Sequence, residues 1–186
     1  MSRVVISHEY ASSPDQAWYG HLAAELSPHD VRVPQMPDPQ APQPEPWLKA
    51  VIAEVDDPRD TVLVGHSLGG VNLLRLLQQH DVGREGPYAG VVLVASMAHE
   101  VGYDQLAPFF QDGFDWGRIR RAAGQFRVLV AVDDPVLTPD PLEHVRLFAQ
   151  HLGAKALVTP DGVHFSRLQD RRELHEAVTL VTALLP

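Results

Sequence analysis

Six short runs of apolar and β-branched residues, at 4–7, 31–33, 61–65, 91–95, 127–132 and 155–159, recur along the chain. Several are apolar at consecutive rather than alternating positions, the pattern of strands buried on both faces of a parallel sheet. The intervening segments carry helical spacing. Ser13-Pro14-Asp15 reads as a helix start, with Trp18, Leu22 and Leu26 following at i+4. Further helices are expected at 47–55, 71–79, 116–123, 141–152 and 171–185. The proline-rich stretch 34–46 is expected to be a rigid, non-helical surface crossing. Alternation of this kind specifies an α/β fold: one domain over 1–186, with a doubly wound, mainly parallel six-stranded sheet and helices on both faces.

With 45% hydrophobic and 21% charged residues, the chain has the make-up of a globular domain rather than a disordered one. No apolar run approaches the roughly 18 residues that span a bilayer, so no membrane association is expected. The N-terminus goes directly into a strand-like run without the parts of a secretory leader, which points to the cytoplasm. The absence of cysteine excludes a disulfide framework, a thiolate nucleophile and a sulfur-ligated zinc site. A net charge of −9 disfavours a nucleic-acid partner. The basic clusters Arg118-Ile119-Arg120-Arg121 and Arg171-Arg172 read as solvated helix positions.

The third run ends in Gly65-His66-Ser67-Leu68-Gly69-Gly70, a match to G-x-S-x-G. A strand before it and an apolar helix after it form the setting of a nucleophile elbow. There Ser67 stands on a sharp turn, Gly65 and Gly69 let strand and helix approach, and Gly70 adds room. The N–H of Leu68, at the helix start, can face an oxyanion.

A serine hydroxyl needs a base, and the base an orienting carboxylate. His164 follows the last strand on a loop and is the best-placed base. His80, His144, His151 and His175 fall in or beside helices and read as surface residues; His66, across a tight turn from the serine, reads as structural. Asp133 and Asp134 both end the fifth strand, so either could be the carboxylate, or both could cap a turn. The resulting order, serine, aspartate, histidine, is that of α/β-hydrolases. All three positions follow carboxyl ends of strands, where doubly wound sheets bind ligands.

On these residues, together with Trp18-Tyr19, Trp47, Trp116 with Ile119, Asp133-Asp134-Pro135 with Pro139, and Gly162-Val163-His164-Phe165, the chain resembles the small lidless α/β-hydrolases. More narrowly, it is similar to the family of retinoblastoma-binding protein 9 and the YdeN-like serine hydrolases. The resemblance implies strand order 2-1-3-4-5-6, no cap domain, no cofactor and no metal. It selects Asp134, directly before a proline, over Asp133. It also implies a serine hydrolase acting on a small or medium acyl substrate, most simply a carboxylic ester. Where many relatives of the fold have His-Gly after the first strand, this chain has His8-Glu9-Tyr10, and Tyr10 is placed ahead of Glu9 as the second oxyanion donor. Between the fourth and fifth strands Tyr103, Phe109, Phe110 and Phe114 are expected to form an apolar wall. The alternative is a non-catalytic or weakly active binding or regulatory protein on the same fold. A retinoblastoma-binding L-x-C-x-E motif is excluded by the lack of cysteine.

Overall fold

The computed structural model describes residues 1–186. Six strands, β1 (Arg3–Ser7), β2 (Asp30–Arg32), β3 (Thr61–His66), β4 (Gly90–Val94), β5 (Phe126–Ala131) and β6 (Lys155–Thr159), form one sheet. The order is 2-1-3-4-5-6 and every pair is parallel. The seven α-helices are α1 (Tyr19–Glu25), α2 (Pro44–Ile52), α3 (Leu68–Gln79), α4 (Val82–Glu85), α5 (Trp116–Arg121), α6 (Pro141–Leu152) and α7 (His175–Thr182).

The period-two alternation of the strands divides their side chains between two cores. Val5, Leu63, Leu93, Val128 and Val130 pack with residues of α2, α3, α5 and α6 on one face. Val4, Ile6, Val64, Val94, Leu129 and Ala131 pack with α1 and α7 on the other. β3 and β4 are buried along their whole length, which explains their unbroken apolar runs. Helix α3 lies so deep that Leu68 through Leu77 are all buried. Its one charged member, Arg75, donates to the carbonyls of Phe109, Gln111 and Gly113 and so ties the β4–α5 connection onto α3. That connection holds a 3₁₀ turn over Asp104–Phe109, and no cap domain stands above the sheet.

Several local expectations are corrected. The first helix begins at Tyr19, not at Ser13: Ser13 Oγ bonds Asp15 Oδ1, and Ala17 at φ 51° interrupts any helix started there. Pro44 and Pro46 lie inside α2, because first-turn amides have no intrahelical acceptor and a proline there forfeits nothing. The last helix runs only over His175–Thr182, so Arg171 and Arg172 precede it in a loop, where Arg172 pairs with Asp170. His144 is fully buried rather than a surface residue; it accepts from the Ala98 N–H and donates to the Thr138 carbonyl. His144 is satisfied by backbone partners distant in sequence, which local spacing does not reveal.

The topology sets the site. β1 and β3 are neighbours, with Ser7 in register with Gly65, so the loop after β1 meets the turn after β3 where the strand order reverses. The loops after β5 and β6 open on the same edge.

Candidate active site

Ser67 occupies the turn between β3 and α3 at φ 53° and ψ −121°, backbone space that a side chain enters only under constraint. The constraint is visible. Its N–H donates to the Val94 carbonyl (2.9 Å), and its own carbonyl accepts from Ser96 Oγ (3.2 Å). A Cβ at Gly65 would come within 2.6 Å of Gly70 N, and one at Gly69 would run into the Ser7 carbonyl and lie 2.7 Å from His8 O. The glycines therefore let α3 sit against both β3 and the loop after β1.

The hydroxyl of Ser67 is 2.7 Å from His164 Nε2, and His164 Nδ1 is 2.7 Å from Asp134 Oδ2. A carboxylate only accepts, so Nδ1 carries the proton and the Nε2 lone pair faces the serine O–H. The three side chains, from the ends of β3, β5 and β6, thus form one hydrogen-bonded line, and all three residues are buried. The two aspartates have separate tasks. Asp134 also accepts from the Val136 N–H, whereas Asp133 accepts from the Val163 N–H (2.8 Å) and anchors the backbone next to His164. That anchor is needed: Val163 and Phe165 stand at φ 52° and 50° on either side of His164, the former costly for a β-branched residue.

Glu9 and Tyr10 line the same cavity as Ser67. The Glu9 N–H is committed to Tyr19 Oη (3.1 Å), and the Glu9 carbonyl accepts from His8 Nδ1 (2.8 Å). In a trans peptide C=O and N–H point in opposite directions, so the Tyr10 N–H points away from His8, and it has no partner within the chain. Leu68 begins α3, ahead of the intrahelical ladder, at the positive end of the helix dipole.

A serine-hydrolase family model matches residues 4–182. The chain belongs to the serine hydrolase family. It is 25% identical to the serine hydrolase RBBP9 of Rattus norvegicus over 173 residues, 90% of this chain and 86% of that one. The crystal structure of the ydeN gene product from B. subtilis superimposes with a TM-score of 0.89 at 25% identity, covering 99% and 98% of the two chains. Est1E from Butyrivibrio proteoclasticus shares the fold alone, with a TM-score of 0.68, 12% identity, and coverage of 98% and 87%.

In this serine hydrolase, four further polar residues, Tyr19, His66, Ser166 and Arg167, surround the line of Ser67, His164 and Asp134. Tyr19 donates to His66 Nδ1 (2.8 Å), and His66 Nε2 donates to the His164 carbonyl (3.0 Å). Burial pushes the His66 imidazole below its ordinary value, against an upward pull from the Glu9 charge, and so keeps the ring neutral as this chain of bonds requires. Burial raises Tyr19, as does the neighbouring Glu9 charge. Glu9 itself accepts from Ser166 Oγ (2.6 Å) and from the Arg167 N–H (2.9 Å). The carboxylate in place of a small residue thus closes a ring of bonds from the β1 loop through α1 and the elbow to the His164 loop. Tyr19 and His66 carried sequence signals, one in an aromatic pair and one inside the motif; Ser166 and Arg167 carried none beyond proximity to His164.

The cavity above Ser67 has a volume of ≈ 400 Å³. Tyr103 and Leu106 supply part of its apolar wall. Phe109 and Phe110 are instead buried in the core, and Phe114 stacks under the Arg75 guanidinium, so three of the four aromatics expected at the wall stabilise the connection behind it.

Proposed function

We propose that this serine hydrolase cleaves a small or medium acyl substrate, most simply a carboxylic ester, through a covalent acyl-enzyme. One observation carries the reading: the line Ser67 Oγ, His164 Nε2, His164 Nδ1, Asp134 Oδ2, with both contacts at 2.7 Å, at the floor of an open cavity. His164 takes the serine proton as Oγ attacks the carbonyl carbon; Asp134 holds the imidazole in the required tautomer and stabilises its charged form. The N–H groups of Leu68 and Tyr10 receive the oxyanion. Collapse of the tetrahedral intermediate expels the alcohol, which takes the proton from His164. Water, activated by the same histidine, then attacks the acyl-enzyme and restores the serine. Nucleophile, base and oxyanion donors all come from the chain, so the scheme asks for no metal or organic cofactor. A cavity at the small end of the usual range for ligand sites favours short acyl groups.

No helix is long and apolar enough to cross a membrane. The proposed partner is a small-molecule acyl substrate, and the proposed setting, a separate expectation, is the cytoplasm. The test is labelling with a fluorophosphonate probe, wild type against Ser67→Ala, followed by p-nitrophenyl esters of graded acyl length. Labelling that depends on Ser67, with turnover greatest from acetyl to butyryl, is expected. A folded wild-type protein that takes up no label at Ser67 overturns the hydrolytic reading in favour of a binding protein on this fold.

A further inference from the structure

Arg167 stands three residues beyond His164 and lines the cavity over Ser67. Among the residues lining that cavity it is the one with a permanent positive charge. Its neighbours there include the apolar Tyr103, Leu106, Val136 and Leu168 and the amides Gln105 and Gln169.

Elsewhere in the molecule, structural arginines are occupied. Arg75 is spent on three carbonyls, and Arg3 bridges Asp30 and Asp56. Arg167 lines the cavity over Ser67, and its guanidinium makes neither an ion pair within 4.0 Å nor a side-chain hydrogen bond, with its Nε shut off from solvent. An N–H shut off from water is equally shut off from a ligand, so the donors the fork can offer are its two Nη groups, which stay open and have no partner within the chain. The nearby Glu9 carboxylate does not occupy the fork: it forms no ion pair with Arg167 within 4.0 Å, and its oxygens accept from Ser166 Oγ and from the backbone N–H of Arg167.

We propose that Arg167 is an anion-recognition residue and that the substrates of this enzyme carry a carboxylate separated by a short apolar spacer from the scissile carbonyl. The inference rests on the hydrolytic reading for the chemistry at Ser67 but not for the binding. The planar fork of a guanidinium fits a carboxylate through two parallel hydrogen bonds, and the apolar walls fit the methylenes between the two ends. A single guanidinium neutralises a single carboxylate, whereas a phosphate dianion would retain half its charge beside Glu9. The Gln169 side chain accepts from the Ser166 N–H through its oxygen, which leaves its amide N–H groups to add to the same recognition.

Two matched substrate pairs test this: adipic acid monomethyl ester against its carboxamide analogue, and the acetyl ester of ω-hydroxyhexanoate against its carboxamide. The first pair puts the charge on the acyl side, the second on the alcohol side. Wild type is expected to prefer the carboxylate by roughly tenfold or more in kcat/KM in one pair. Arg167→Met, which keeps the backbone N–H to Glu9, is expected to bring that ratio to about one, with Arg167→Lys between the two. Because the ratio is read within each preparation, a general loss of activity does not imitate the effect. Calorimetry with the adipate pair and its acetyl counterpart on Ser67→Ala, with and without Arg167→Met, reads the same preference without turnover. Carboxylate and carboxamide bound and turned over equally in both pairs, or a preference unchanged in Arg167→Met, overturns the proposal. Calorimetric preference for the carboxylate without any Ser67-dependent turnover sustains the anion site and overturns the hydrolytic reading alone.

Discussion

Glu9 Oε2 accepts a 2.6 Å hydrogen bond from Ser166 Oγ across 157 positions of sequence. Through it, the loop expected to supply an oxyanion donor is fastened to the loop that carries His164. Glu9 also fixes its own backbone, by its N–H to Tyr19 and its carbonyl to His8. Glu9 thus holds in place the loop from which the Tyr10 N–H is proposed to donate.

Removing this clamp has a specific cost. In Glu9→Ala the Ser166 hydroxyl and the Arg167 N–H lose their acceptors, and a stability loss of about 2–3 kcal/mol is expected. Release of the His164 loop is expected to lower the proposed ester turnover by roughly ten- to a hundredfold. Glu9→Gln keeps one carbonyl acceptor, and Ser166 Oγ can accept from the new amide, so it is expected within about 1 kcal/mol of wild type. Urea unfolding and p-nitrophenyl ester kinetics on the two variants check this. Equal damage from both would mean that the charge, not the bonding, matters.

The paired aspartates give a sharper contrast. Asp134→Asn puts an amide against His164 Nδ1 and favours the wrong tautomer, with an expected fall in kcat on the order of 10⁴. Asp133→Asn retains an oxygen for the Val163 N–H and is expected within about threefold of wild type. Steady-state kinetics decide it, and a reversal of the order would transfer the orienting role to Asp133.

What could be read in the sequence follows from how far each contact reaches. Consecutive apolar residues in β3 and β4 announce buried parallel strands because burial on both faces acts on every position. The turn at Ser67 is legible because its glycines, strand and helix are contiguous. By contrast, the bonds of Glu9 to Ser166 and of His144 to Ala98 join residues distant in sequence and polar in character, with no periodicity to reveal them. Helix ends proved the least legible elements, since Ala17 at positive φ and the prolines at the start of α2 are resolved by backbone geometry rather than by side-chain pattern.

Glycine substitutions separate close approach from mere flexibility. Gly69→Ala drives a methyl group into the Ser7 carbonyl at the junction of α3 and the β1 loop, and a loss of about 3 kcal/mol is expected. Gly20, in α1, has nothing within 4 Å of the same position, so Gly20→Ala is expected to gain about 0.5–1 kcal/mol from reduced chain entropy. Thermal and urea denaturation of the two variants measure the opposite signs. A neutral Gly69→Ala would show that the elbow yields more easily than its packing implies.

Three buried histidines give the fold an acid limit. Burial is the chief cause that lowers His8, His66 and His144 from 6.5, partly offset by the Glu9 carbonyl for His8, the Glu9 charge for His66 and the Thr138 carbonyl for His144. Each uses one ring nitrogen as an acceptor, from Met36 N–H, Tyr19 Oη and Ala98 N–H respectively, and protonation abolishes that bond. The unfolded chain therefore binds protons below about pH 6.5 that the folded chain refuses. Stability is complete above that point and falls as pH drops, by up to about 1.4 kcal/mol per pH unit for each ring, until the folded values are reached. His144→Gln keeps a donor and an acceptor but no titration, so its stability is expected to fall less steeply than that of wild type between about pH 6.5 and 5.5. Urea unfolding of both proteins across this window measures the difference. Identical slopes would mean that His144 takes up its proton within the folded state at no cost.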